Sequence, residues 1–130
     1  MSKRKILIVD DEPDLVETLK FRLEHEGYET ITAINGWEAL GAVRAQEPDL
    51  VLLDVMLPKE NGYRVSKMIK EDIATGRLPK AIPVFLLTAR NLSSDPGRES
   101  EFRNFSQADD VIYKPFEMEE LIAQIAALWA

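Results

Sequence analysis

Three short apolar runs limit what this chain can fold into: Ile6-Leu7-Ile8-Val9, Leu50-Val51-Leu52-Leu53 and Val84-Phe85-Leu86-Leu87. None of them alternates with polar residues. A strand in water on one face must alternate, so these runs predict strands buried on both faces, the pattern of a parallel sheet. Val111-Ile112-Tyr113 is a weaker run of the same kind. Tyr28-Glu29-Thr30-Ile31-Thr32-Ala33 alternates and is β-branched, as expected nearer a sheet edge.

Helical spacing separates the runs. Pro13 suits a first helical turn and is followed by Leu15, Val16, Leu19 and Leu23, with Gly27 closing the segment. Asn35 with Glu38 forms a capping-box-like start before Leu40 and Val43, and Pro48 ends that helix. Asn61 is placed to cap a helix that carries Val65, Met68, Ile69 and Ile73 on one face. The last helix carries Met118, Leu121, Ile122, Ile125 and Trp129. A further helix over 91–107 has only Leu92, Phe102 and Phe105 as large apolar anchors; Asp95-Pro96 suits its start and Gly97 weakens it. Phe102 and Phe105 are expected to pin it to the sheet. The reading is β-α-β-α-β-α-β-(α)-β-α, an α/β fold with right-handed crossovers and a sheet covered on both sides.

At 130 residues, with 45% hydrophobic and 30% charged, the chain has enough material for one core and one domain. Its net charge of −7 disfavours direct nucleic-acid binding. It has no cysteine and one histidine, His25, which excludes disulfides, thiolate zinc sites and multi-histidine metal sites. No apolar run approaches a spanning helix, so no membrane insertion is expected, and the N-terminus carries no signal-peptide pattern. A cytoplasmic location is the default expectation.

Open parallel sheets bind ligands beyond the carboxyl ends of their strands. The strand ends here are Asp10-Asp11-Glu12, Asp54, Thr88-Ala89 and Lys114-Pro115. With parallel strands in the order 2-1-3-4-5 they converge on one edge. Grouped carboxylates repel one another unless one is protonated or a cation lies between them. Oxygen ligands of this kind suit Mg²⁺, which takes one or two carboxylates together with a phosphate. Lysine adds a point charge and threonine a hydrogen bond, both suited to a phosphoryl oxygen. The combination points to phosphoryl chemistry on a carboxylate, with Asp54 attacking phosphorus in line to become an acyl phosphate. One aspartate of the Asp10-Asp11 pair is also expected to cap the following helix.

Asp10-Asp11, Asp54-Val55-Met56-Leu57-Pro58 with Asn61-Gly62, Thr88-Ala89 and Lys114-Pro115-Phe116 together resemble the receiver domain of two-component response regulators. The match runs from about residue 5 to residue 128, so 1–130 reads as a single receiver domain. The resemblance implies a doubly wound, flavodoxin-like (βα)5 fold with one five-stranded parallel sheet. It implies Asp54 as phospho-acceptor, with Thr88 as switch hydroxyl and Lys114 as its phosphate-pairing partner. It further implies Mg²⁺ held by Asp10, Asp11, Asp54 and the backbone carbonyl of Met56, and a cis Lys114–Pro115 bond. Pro58 and Gly62 would shape the loop after the acceptor, and Ala89 would leave room for the phosphoryl group. The donor would be a sensor histidine kinase or a histidine phosphotransfer protein. The output would be a protein target reading a surface near strands four and five. The chain would be a phosphotransfer substrate assisting its own phosphorylation and hydrolysis, not a turnover enzyme.

Three departures from the family pattern stand out. Val111 occupies the position three before the lysine where an aromatic is usual, and the nearest aromatic is Tyr113, on the same strand face. The stretch from Thr88 to Lys114 is longer than usual. The last helix has no Arg or Lys between Glu117 and Trp129, which argues against a charge-paired dimer. These departures motivate a second reading, a phosphorylation-independent interaction module on the same fold. Two others fit poorly. A haloacid-dehalogenase-type phosphatase would have an acid where Met56 stands, and a flavodoxin-like cofactor binder would need a phosphate loop where Asp10-Asp11-Glu12 would repel it. Met56, Met68 and Met118 are expected to pack in the interior, His25 to be solvated, and Trp37 and Trp129 to be either exposed or at the core edge. Met56 and Arg90 flank the site, where they would influence the entry of water.

Overall fold

A computed structural model of the chain describes residues 3–57, 60–89, 101 and 103–130. Pro58, Arg90, Leu92, Asp95, Pro96, Gly97 and Phe102 lie outside the described residues. The elements are β1 (Lys5–Val9), α1 (Pro13–His25), β2 (Glu29–Ala33), α2 (Gly36–Gln46), β3 (Leu50–Asp54), α3 (Gly62–Ala74), β4 (Val84–Ala89), β5 (Asp110–Lys114) and α4 (Met118–Ala127). The strands form one sheet in the order β2-β1-β3-β4-β5, and every pair is parallel. The unalternated runs are β1, β3 and β4 at the sheet centre, and the alternating segment is the edge strand β2, as expected.

Alternation along the central strands divides the core in two. Leu7, Val9, Val51, Leu53, Val84 and Leu86 face α2 and α3, where Leu40, Val43, Val65 and Ile69 meet them. Ile6, Ile8, Leu50, Leu52, Phe85 and Leu87 face α1 and α4, where Leu19, Leu23, Leu121 and Ile125 close over them. Burying side chains of this size stabilises a fold by about 1.5–3 kcal/mol each before the entropy of ordering is counted. No helix among the described residues is long and apolar enough to cross a membrane.

The caps follow the local chemistry. The Asn35 side chain accepts the Glu38 N–H at 2.9 Å, and the Asn61 side chain accepts the Arg64 N–H at 2.9 Å. Gly27 adopts φ +98° just past α1, a conformation that suits glycine. Neither Asp10 nor Asp11 is the N-cap of α1. Pro13 takes the first helical position, so the cap falls on Glu12, which makes no side-chain capping bond.

Three packing expectations need correction or resolution. Phe105 does not pin a helix to the sheet: it is 42% exposed, and the Lys67 ammonium sits 4.2 Å from its ring centre. Met68 and Met118 do pack against the two cores, but Met56 is 74% exposed because the loop after β3 carries it outward. Trp37 is exposed, whereas Trp129 lies at a core edge with its ring 5.7 Å from that of Tyr28. His25 is exposed, as expected.

Candidate acidic site at the carboxyl edge of the sheet

The carboxyl ends of β1 and β3 deliver two buried aspartates. Asp10 follows Val9 directly and is 1% exposed; Asp54 is the last residue of β3 and is 5% exposed. Asp11, the next residue after Asp10, is exposed. One carboxylate oxygen from each of Asp10, Asp11 and Asp54 lies within 4.8 Å of the others.

Local hydrogen bonds hold the two buried groups. The Asp10 carboxylate accepts the Glu12 N–H at 3.0 Å, and the Asp54 carboxylate accepts the Met56 N–H at 3.2 Å. Each aspartate thus grips the backbone two residues ahead as the chain leaves its strand. The Lys114 ammonium, from the end of β5, lies 3.0 Å from Asp10 and 3.6 Å from Asp54. The Lys114–Pro115 peptide bond is cis.

This is more negative charge than one lysine can balance. Burial, followed by the charge of Asp10, pushes the Asp54 carboxyl up to about 6, against the opposing pull of the Met56 N–H and Lys114. Burial pulls the Lys114 ammonium down, but its hydrogen bond to Asp10 and the charges of Asp54 and Asp10 prevail, leaving its pKa raised. Three convergent carboxylates with surplus negative charge suit a hard divalent cation such as Mg²⁺, so the residues present fit the expected metal.

Asp10, Asp11, Asp54 and Lys114 are therefore brought together. Thr88 flanks this group. It lies one residue beyond Leu87, the register partner of Asp54, and strand alternation gives it the opposite sheet face, that of Leu86. Its own register partner is Tyr113.

Gly62 has a sharper role than its place in a turn suggested. A β-carbon there would run into the Asp54 carbonyl oxygen and would lie 2.7 Å from Val55 Cα. The Gly62 N–H also donates to the Val55 carbonyl at 2.8 Å, closing the loop onto the strand end. The sequence reading missed one supporting residue, Gly36. Gly36 lets the start of α2 approach Glu60 and Val65, and its place directly after the capping Asn35 was the available signal. Glu12 adds negative charge beside Lys114 and is the third member of the acidic run after β1.

A family model, the response regulator receiver domain, matches residues 6–126. The DNA-binding response regulator MtrA of Mycolicibacterium smegmatis is 40% identical over 125 residues, covering 96% of this chain and 50% of that protein. The alkaline phosphatase synthesis transcriptional regulatory protein PhoP of Bacillus subtilis is 38% identical over 125 residues, covering 96% and 48%. The chain spans about half the length of the curated relatives it matches. Among solved structures, the response regulator protein TrrA of Thermotoga maritima, in complex with Mg²⁺-BeF, superposes with a TM-score of 0.78 at 34% identity, covering 96% of this chain and 98% of that one. With the 2-1-3-4-5 parallel sheet already in view, these matches agree on one assignment: the chain belongs to the response regulator receiver domain family.

Proposed function

We propose that residues 1–130 form a single receiver domain that accepts a phosphoryl group on Asp54 and passes the signal on through protein contacts. One observation carries the reading: a buried strand-end carboxylate, two further aspartates and a lysine converge on one point of the sheet edge. A structural role for Asp54 is hard to sustain, because burying a carboxylate with incomplete compensation costs several kcal/mol.

Each residue then has a task. The ionised Asp54 oxygen attacks phosphorus in line, forming an O–P bond as the N–P bond of a donor phosphohistidine breaks. Lys114, poised between Asp10 and Asp54, balances charge on the transferring phosphoryl oxygens. Thr88 offers its hydroxyl to a phosphoryl oxygen from the neighbouring strand. Asp10, Asp11, Asp54 and the Met56 carbonyl would hold Mg²⁺, which supplies positive charge to the phosphoryl oxygens when bound. The TrrA structure, with its Mg²⁺-BeF, supports this ligand chemistry by similarity. The donor is a sensor histidine kinase or histidine phosphotransfer protein in the cytoplasm. The protein is a phosphotransfer substrate, not a turnover enzyme on a separate metabolite.

The test is intact mass after incubation with Mg²⁺ and acetyl phosphate, beside Asp54→Ala. The expected result is one added phosphoryl group, absent without Mg²⁺ and absent in the variant. No gain with acetyl phosphate, together with no Mg²⁺-dependent beryllofluoride binding, would instead favour the phosphorylation-independent module.

A further inference from the structure

Three contacts at different heights join the β1–α1 stretch to the β5–α4 stretch, whose helices cover the same face of the sheet. At the carboxyl edge the Lys114 ammonium lies 3.0 Å from Asp10, so the residues leading into the two helices are tied. Between the helices, Arg22 in the last turn of α1 reaches Glu119 in the first turn of α4, with Nη1 2.6 Å from the carboxylate. Past the end of α4, the Trp129 ring lies 5.7 Å from that of Tyr28, and the Arg4 guanidinium lies 4.6 Å from the Trp129 ring centre. Arg4 precedes β1 and Tyr28 precedes β2, so this last contact sits at the amino edge.

Only the first tie uses the acidic site. In the proposed function Lys114 turns to the phosphoryl oxygens, so its hold on Asp10 weakens when the site fills. The other two ties involve no site residue. An exposed ion pair or an exposed cation–π contact contributes little energy alone. Their weight lies in their placement. Leu121 and Ile125 bury α4 on the sheet, but apolar burial is non-directional and leaves a helix able to slide or tilt. Directional contacts at the two ends of α4 oppose both motions. Arg22 is well placed for this, because it also holds Glu26 at 3.3 Å, one turn further along α1. Trp129 packs on the same core as Leu121 and Ile125, so the clasp at the amino edge is continuous with the interior.

We propose that the Arg22–Glu119 pair and the Arg4–Trp129–Tyr28 cluster clasp α4 to α1, so that the two helices stay docked when Asp54 carries a phosphoryl group. The response to the phosphoryl group is then confined to the α2–α3 side of the sheet. The inference rests on the proposed function, which supplies the event that the clasp resists. It goes further in dividing the domain into a face that keeps its arrangement and a face that answers the site. A protein target that distinguishes the two states must bind them differently, so it reads the second face.

The experiment is ¹⁹F NMR of the protein labelled with 5-fluorotryptophan, paired with amide exchange over α4, both read as beryllofluoride and Mg²⁺ are added. The two tryptophans are Trp37 and Trp129, and Trp37→Phe assigns their resonances. The same spectrum records bound beryllofluoride, so the site and the clasp are observed independently. In the unsubstituted chain the Trp129 resonance should keep its position as the site fills, and exchange over α4 should change by less than about twofold. Arg4→Met combined with Glu119→Gln removes one partner from each contact and leaves Trp129 as the reporter. Exchange over α4 should then be about fivefold faster, the combined weight of one exposed ion pair and one exposed cation–π contact. Beryllofluoride should now shift the Trp129 resonance. Arg4→Met combined with Arg22→Met opens the same ion pair from its other side and serves if the first combination disturbs folding. A Trp129 resonance that moves with bound beryllofluoride in the unsubstituted chain would overturn the inference and leave the proposed function standing. A double variant whose Trp129 stays unmoved by bound beryllofluoride would also overturn it. Absence of bound beryllofluoride would overturn the proposed function and the inference with it.

Discussion

The Lys114 ammonium lies 0.6 Å closer to Asp10 than to Asp54, at 3.0 Å against 3.6 Å. The lysine is thus anchored on a neighbouring carboxylate while remaining within reach of the proposed acceptor. That arrangement lets it follow charge as it develops on a phosphoryl group without being bound first to the attacking oxygen. Lys114→Ala should slow acetyl-phosphate-driven phosphorylation by about 100-fold, the usual cost of removing a donor aimed at transition-state charge. Intact-mass time courses at saturating Mg²⁺ measure this directly. A rate within twofold of the unsubstituted chain would remove Lys114 from the chemistry.

The second prediction concerns pH. In the metal-free protein Asp54 is held at about 6 against an ordinary value of 3.8. A carboxyl raised on folding binds its proton more tightly in the folded state than in the unfolded state. Its contribution to stability is fully present below about pH 4 and is lost as pH rises through about 6. Above pH 7 the ionised group costs the fold roughly 3 kcal/mol. Asp54→Asn keeps an oxygen for the Met56 N–H without the charge. In EDTA at pH 7.5 it should be more stable than the unsubstituted chain by roughly 2–3 kcal/mol. The difference should shrink toward zero near pH 4, and saturating Mg²⁺ should narrow it at pH 7.5. Urea unfolding at the two pH values, with and without Mg²⁺, gives the comparison. Equal stabilities at pH 7.5 in EDTA would contradict it.

Most of the fold was legible because its central strands are buried on both faces. Leu50–Leu53 and Val84–Leu87 have no polar partner in the pattern, and only a covered parallel sheet accommodates that. The acidic site was legible for a related reason: Asp54 ends an apolar strand, where a carboxylate needs an explanation. The misreadings came from residues whose fate depends on a neighbour. One aspartate of the Asp10-Asp11 pair was expected to cap α1 as well as to join the cluster, but Pro13 at the first helical position moves the cap to Glu12. Met56 is apolar, yet it follows the strand end in a loop, where no periodicity directs it inward. Phe105 belongs to a stretch with too few apolar residues to define a face, and it ends beneath Lys67 instead of on the sheet. The Thr88–Tyr113 pairing requires the register of β4 against β5, a relation between strands that neither strand encodes alone.

A buried link joins α3 to the chain entering β5. The Ser66 hydroxyl donates to the Ser106 carbonyl at 2.9 Å, and both residues are fully buried. The Ser106 hydroxyl in turn accepts the Ala108 N–H at 3.2 Å, just before the turn into the edge strand. Ser66→Ala leaves the Ser106 carbonyl without this partner in a site closed to water, which should cost about 1–3 kcal/mol. The loss should appear as faster amide exchange around residues 103–108 before it appears in the central strands. Uniformly faster exchange across the whole sheet would show that the bond supports global stability and not this segment in particular.

Gly62→Ala tests whether the backbone behind the acceptor is as closely packed as the geometry requires. The added methyl meets the Asp54 carbonyl oxygen, and Val55 Cα at 2.7 Å, and both are backbone atoms with little room to retreat. Crowding of this kind costs roughly 1–3 kcal/mol, relieved only by shifting one chain against the other. The chain that shifts carries Asp54, whose carboxylate must stay aligned with Lys114 and with the phosphoryl donor. Gly62→Ala should therefore lower the melting temperature and also slow phosphorylation at temperatures where the protein remains fully folded. No charge is altered, so the Mg²⁺-free pH profile of stability should keep its shape. Measuring the phosphorylation rate well below the melting transition separates the two effects. A destabilised variant with an unchanged rate would show that the loop yields and Asp54 stays where it is.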